Sequence, residues 1–285
     1  MSKTLRAVTA LVLGFLFTAF FGMGGAVLGI IFKIPCMVIG CKNPFRYIVN
    51  FWAFLITEVC VRRLLSIETV ITSTVPPIAD DEVVVCFGNH PSTLGVATFT
   101  HFVCQYLSTD ILVVSKIEHL WNPFIGWPLW CLDSGIFVDR SSPNDSSEAI
   151  DNGMASCLRV PSAIVIFPDM HRPSEKLIEE DRRKFKDKIP GLQSWLKQTL
   201  VPRGGGSYGL IRAVKGRKVR AVQITTFCDH ADNNIWKLFN LFGAKFYIEA
   251  KQDLEILNLD RASLDQHQNA EWKEKNEVIE RGKIK

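Results

Sequence analysis

The apolar and polar positions divide the chain into two unlike parts. From Ala7 to Phe32 no charged residue occurs, a run of 26 positions. A bilayer core takes about 20 apolar residues, whereas a cleavable leader has a shorter apolar region of roughly 7 to 15, so the pattern predicts a retained membrane segment. Gly22-Met23-Gly24-Gly25 lies near its middle. Two readings stay open: one long span, or two short helices that bend at the glycines and re-enter the same leaflet. A second apolar stretch, Tyr47 to Ile67, is interrupted by Glu58 and Arg62-Arg63, as in a helix lying in the interface. Lys3 and Arg6 precede the first segment, and Lys33, Lys42, Arg46, Arg62 and Arg63 follow it. Positive charge favours the cytoplasmic side, so the larger C-terminal part is expected to face the cytosol.

Beyond Pro76-Pro77 the pattern becomes that of an α/β domain. Val83 to Phe87 is a β-branched run that predicts a buried strand. It ends in Gly88-Asn89-His90-Pro91-Ser92, after which a helical pattern runs to Leu107. Further strands are predicted at Ile111 to Ser115, Ile136 to Val138, Ala163 to Phe167, Val219 to Phe227 and Ala244 to Glu249. Helices are predicted from Ser146 to Leu158 and from Ala262 to Arg281. Strands alternating with helices imply a mixed, mostly parallel sheet flanked by helices. The expected organisation is therefore a membrane-attachment segment over residues 1–75 and an α/β domain over 76–285.

Composition narrows the function classes. Hydrophobic residues make up 47% of the 285 and charged residues 22%, which suits one sizeable folded domain and not a disordered or coiled-coil chain. The formal net charge of +4 is too mild to indicate a nucleic-acid partner, but it suits an anionic lipid surface. The eight cysteines form no C-x-x-C pair. They are expected to be buried, reduced thiols, with neither a disulfide framework nor a metal site.

The candidate chemistry lies at strand ends. His90 stands just past the first strand of the α/β part, where ligands bind in open α/β sheets, and imidazole suits a general base near neutral pH. Val138-Asp139-Arg140, Pro168-Asp169-Met170-His171-Arg172 and Pro202-Arg203 end later units. The donor fork of arginine suits a phosphate or carboxylate. Two generic patterns overlap at Gly204-Gly205-Gly206-Ser207-Tyr208-Gly209. A dinucleotide fingerprint would need a strand directly before it. A serine hydrolase would use Ser207 with Asp229 and His267. A glycine-permitted turn entering a helix over Ser207–Val214 is favoured over both. The basic group Arg212, Lys215, Arg217, Lys218 and Arg220 fits an anionic lipid surface or a solvated helix end.

Taken in order, the strand-end segments resemble the glycerolipid acyltransferase family, which includes the 1-acylglycerol-3-phosphate acyltransferases. Asn89, His90 and Ser92 match its N-H-x-S-x-x-D block. Gly135, Phe137, Val138 and Arg140 match G-x-F-(I/V)-x-R, with Asp139 at the variable position. Pro123-Phe124-Ile125-Gly126-Trp127 matches a P-F-(I/F)-G-W segment, and Phe167, Pro168 and Arg172 match part of F-P-E-G-T-R. Leu200-Val201-Pro202-Arg203, Val222-Gln223-Ile224-Thr225 and Trp272-x-x-Lys275-Asn276 resemble a subgroup that contains lysocardiolipin-type and bacterial inner-membrane enzymes.

The resemblance implies a membrane-bound lysophospholipid acyltransferase. Such an enzyme moves a fatty acyl group from acyl-CoA, or from acyl carrier protein, to the free hydroxyl of a lysophospholipid, in the first instance 1-acylglycerol-3-phosphate. His90 would be the base, acyl-CoA a co-substrate, and no cofactor or metal would be needed. Asn89, Ser92, Phe137, Asp139, Arg140, Pro168 and Arg172 would line the substrate site, with Arg140 and Arg172 on the phosphate. A bacterial inner membrane, the endoplasmic reticulum and the outer mitochondrial membrane all suit a cytosol-facing domain. Two departures stand out. Gly95 occupies the position of the motif Asp that orients the imidazole, leaving Asp169 or Asp133 to replace it. Asp169, Met170 and His171 stand where the family has Glu, Gly and Thr. A catalytically inactive lipid-binding relative is the alternative.

Overall fold

The computed structural model describes residues 2–39, 47–90, 93–108, 110–139, 143–158, 160–229 and 241–283. Ser92 and Arg140, both expected in the site, lie outside them.

The first apolar segment is one helix, α1 (Lys3–Ile39), unbroken at the glycines where the two-helix reading placed a break. Its two faces differ. Ala7, Ala10, Gly22, Gly25 and Gly29 face the protein and are buried, while Leu5, Val12, Phe15, Phe20, Val27 and Ile34 are exposed on the other side. The glycines are contact points. A Cβ on Gly22 would lie 2.6 Å from the Phe124 carbonyl oxygen, and one on Gly29 would lie 2.7 Å from Cys131 Cβ. Thr18 accepts from the Trp52 indole at 3.2 Å, and Lys33 pairs with Asp133 at 2.9 Å. The helix is thus docked from its first turns to Lys33. The second apolar stretch forms α2 (Ile48–Leu55), which runs on into a π-helical segment, Ile56–Leu64.

The sheet has seven strands in the order β1-β7-β6-β2-β5-β3-β4. They are β1 (Glu68–Ser73), β2 (Val83–Gly88), β3 (Ile111–Lys116), β4 (Gly135–Val138), β5 (Ser162–Ile166), β6 (Val219–Cys228) and β7 (Lys245–Gln252). Strands β2 to β6 run parallel, β7 is antiparallel to β6, and β1 is parallel to β7. Strand β1 precedes the expected boundary at residue 76, so the sheet begins at Glu68.

Strand β2 is buried throughout and sits between β5 and β6. Val84 and Cys86 point toward α1, the π-helical segment and α3 (Thr93–Tyr106). Val83, Val85 and Phe87 point to the opposite face, which is covered by α5 (Pro143–Cys157), α8 (Gly204–Val214) and α9 (Arg261–Lys283). A short helix, α4 (Gly126–Cys131), lies against α1. Helices α6 (Glu175–Phe185) and α7 (Leu192–Trp195) pack with the buried Trp272. All the described cysteines are free thiols, and burial pushes the Cys60 thiol up to about 11.

Candidate active site

Parallel strands bring their C-terminal ends to one edge, where side chains from separate loops can converge. His90 follows β2, Lys116 ends β3, and the turn Phe167–Arg172 follows β5. These residues border a cavity of about 230 Å³. Its apolar walls include Phe21 and Gly22 of α1, Trp52 of α2, and Phe124, Ile125 and Leu129 around α4. The polar groups His90, Ser115, Lys116, His119 and Arg172 also line it. A cavity lined mainly by apolar side chains with a few polar groups suits an amphiphilic ligand.

The Pro123–Trp127 segment builds one wall by close backbone packing. Phe124 donates its N–H to Asn122 Oδ1 at 2.9 Å. A Cβ on Gly126 would fall 1.9 Å from the His119 carbonyl oxygen, so only glycine fits there.

The main chain at His90 is tightly held. Asp169 is buried, and its Oδ2 accepts the His90 backbone N–H at 2.7 Å. The imidazole lies beside the Phe167 ring, with centroids 5.0 Å apart. Asp169 therefore reaches the histidine from the neighbouring strand end, and this bond holds its backbone. Asp133 instead pairs with Lys33. Asn89 is also buried, and Thr226 engages both of its polar atoms. The amide nitrogen donates to the Thr226 carbonyl at 2.8 Å, and Oδ1 accepts the Thr226 N–H at 2.8 Å.

Cationic and imidazole groups gather beside the cavity. Lys116 Nζ lies 3.3 Å from His171 Nε2, and Arg172 is exposed at the cavity edge. Lys116 was not among the expected site residues. The available signal was a lysine closing an otherwise apolar strand. Met170 has φ +64°, the left-handed region that glycine adopts most readily, and it lines the cavity. The family motif has glycine at this position, so the backbone keeps a glycine-like turn while carrying a methionine side chain.

Other expected residues are placed differently. Phe137 belongs to β4 and Asp139 follows it, at the sheet edge three strands from β2, and neither lines the cavity. Pro168 is buried, and its carbonyl accepts the Arg203 N–H at 2.8 Å. Arg203 pairs with Asp181 at 2.6 Å.

The serine-hydrolase constellation is not assembled. Ser207 is wholly buried inside α8 and accepts from Gln268 at 2.7 Å. His267 pairs with Asp253 at 2.9 Å, and Asp229 Oδ1 accepts the Lys245 N–H. In the expected basic group, Lys218 pairs with Asp81 and Arg220 with Glu82, each at 2.7 Å, at the N-terminal end of β6 and away from His90. Asp253, His267 and Glu271 bring possible metal-ligand atoms within 4.8 Å of one another. Existing partners engage all three, including Lys251 at 3.1 Å from Glu271.

A family model described as Acyltransferase matches residues 67–198. No curated protein matches significantly. Among solved structures, the chain is similar to the crystal structure of the 1-acyl-sn-glycerophosphate (LPA) acyltransferase PlsC from Thermotoga maritima. That likeness has 12% identity and a TM-score of 0.49, covering 96% of each chain.

Proposed function

We propose that this chain, whose residues 67–198 match the acyltransferase family model, is a lysophospholipid acyltransferase with His90 as general base. The observation that carries this reading is the placement of His90 at an apolar cavity that Lys116 and Arg172 also border. The hydrocarbon chain would lie among Phe21, Trp52, Phe124 and Leu129, and the phosphate would meet Lys116 and Arg172. Arg140 and Ser92 keep the roles that the motifs give them.

The reaction balances without a covalent enzyme intermediate. His90 takes the proton of the acceptor hydroxyl as the oxygen attacks the thioester carbonyl of acyl-CoA. The tetrahedral adduct collapses, the C–S bond breaks, and the proton passes from His90 to the departing thiolate. The products are the diacyl phospholipid and free coenzyme A. A cationic pair near the phosphate positions the acceptor without entering the bond changes.

The exposed apolar face of α1 supports a membrane-attached reading. The 37 residues of the helix give a length of about 55 Å at 1.5 Å per residue, well beyond a hydrocarbon core of about 30 Å. Because the helix is docked along one face while its other face exposes Leu5, Phe15, Phe20, Val27 and Ile34, we place it lengthwise in one leaflet. Trp121, Trp127 and Trp130 are exposed nearby, as suits an interfacial belt.

The test is thiol release from an acyl-CoA by the purified protein in detergent, with and without lysophosphatidic acid. Acceptor-dependent release that disappears in His90→Ala supports the proposal. Undiminished release in His90→Ala removes His90 as base. No release with any acceptor, together with retained binding of lysophospholipid, favours the inactive lipid-binding relative, for which Gly95 at the motif carboxylate position is the specific observation.

A further inference from the structure

A lysine is buried on the face of the sheet opposite α3. Lys275 of α9 is only 2% exposed. Its ammonium or amine donates to the carbonyl of Phe87 at 2.9 Å and to that of Ile224 at 2.7 Å. These carbonyls belong to β2 and β6 where the two strands end their pairing, since Gly88 is opposite Ile224 in register. The nitrogen also lies 4.7 Å from the centre of the Trp272 ring.

The next residue fixes the helix. Asn276 Oδ1 accepts the N–H groups of Lys197 and Gln198 at 3.0 and 2.7 Å, and its amide donates to Thr199 at 2.7 Å. The tail pattern Trp272-x-x-Lys275-Asn276 is thus a device that brings one amine to the root of the His90 turn.

Three contacts then hold this turn. Lys275 binds Phe87, three residues before the histidine. Asn89 bridges to Thr226, two residues beyond Ile224. Asp169 takes the His90 N–H.

We propose that Lys275 is a positioning residue for His90: its amine pins the ends of β2 and β6 so that the Asn89–His90 turn stands at the cavity, and its charge tempers how strongly His90 binds a proton. The proposal rests on the reading of His90 as the base. Burial pushes the Lys275 amine down to about 7. The charged groups facing it are Glu271 on its own helix, Asp169 after β5, and Asp253 after β7, all of which favour its proton, and Lys251 of β7, which opposes it. The amine therefore changes charge in the pH range where a histidine base works. A positive charge near the imidazole disfavours imidazolium, so removing it raises the affinity of His90 for its proton.

Lys275→Met keeps the length and removes both donors and charge, while Lys275→Gln keeps an N–H donor without the charge. The test records His90 ring titration by NMR on histidine-labelled protein in micelles. It also records kcat and KM against pH for acyl-CoA and lysophosphatidic acid. In Lys275→Met we expect kcat to fall about tenfold or more, as for a misplaced catalytic group, with KM nearly unchanged. In both variants the His90 titration should move up, by about a few tenths of a unit or more, as when a positive charge is removed from the root of its turn. Lys275→Gln should recover part of kcat but keep the shifted titration. An unmoved His90 titration and an unchanged kcat profile in either folded variant would overturn the proposal. If wild type transfers no acyl group but the titration still moves, the positioning role stands and the acyltransferase reading falls.

Discussion

Replacing Asn89 by alanine separates a structural role from a substrate-binding one. In the folded protein both polar atoms of this buried side chain satisfy Thr226, whose N–H and C=O each bond to it at 2.8 Å. Thr226 is itself 2% exposed, so water does not readily replace the lost partner. Leaving a buried donor or acceptor unpaired costs about 1–3 kcal/mol each, so the pair amounts to roughly 2–6 kcal/mol. With an unfolding entropy near 2.1 cal/mol/K per residue, one kcal/mol moves the melting point of a chain this size by about 2 °C. Asn89→Ala should therefore melt roughly 4–12 °C lower, as followed by intrinsic fluorescence in detergent. Asn89→Asp should fare no better, because a carboxylate would face the Thr226 carbonyl. An unchanged melting point combined with a raised KM for lysophospholipid would refute the reasoning and put the side chain on the substrate.

Further outcomes follow from the same geometry. Met170→Gly should remove a left-handed strain of about 1 kcal/mol and raise the melting point slightly, while opening the cavity edge to bulkier acceptors in a competition assay. Gly29→Leu should loosen α1 from α4, because even a Cβ would meet Cys131 at 2.7 Å; overpacking of this kind costs about 1–3 kcal/mol, and limited proteolysis should then release the helix. Stability should rise with pH between about 7 and the ordinary lysine range, since Lys275 stays neutral in the fold while the unfolded chain still binds its proton; Lys275→Met should flatten that slope in urea titrations at several pH values. Cys86 and Cys104 should resist alkylation until the protein unfolds, because burial pushes both thiols up, Cys104 to about 12.

The parallel strands were legible because full burial writes them as apolar runs, as in Val83-Val84-Val85-Cys86-Phe87. Strand β1 was not. Its residues Glu68–Ser73 alternate weakly, and they become a strand only through β7. Helix α6 was hidden by charge, since it buries little beyond Ile178 and the Asp181 that pairs with Arg203. The glycines of α1 suggested a bend, yet Gly22 and Gly29 are contact points for Phe124 and Cys131, information that belongs to the partner segment. Motif order singled out His90 and Arg172, which border the cavity, and the Asp169 turn. It did not reveal that Asp169 would hold backbone, or that Lys116 and Lys275 would approach from other elements, because those relations exist only across the sheet.

The pairing of β1 with β7 also has a consequence in time. Ser73 bonds to Ala250, 177 residues later in the chain. At roughly 5–20 residues per second, a ribosome takes about 10–35 s to deliver that partner. Throughout this interval α1 has already emerged with an apolar face to shelter, while β1 waits with its hydrogen-bonding edge open. The apolar face of α1 is thus presented before the sheet can close, and the arrival of β7 decides when the first strand is sealed.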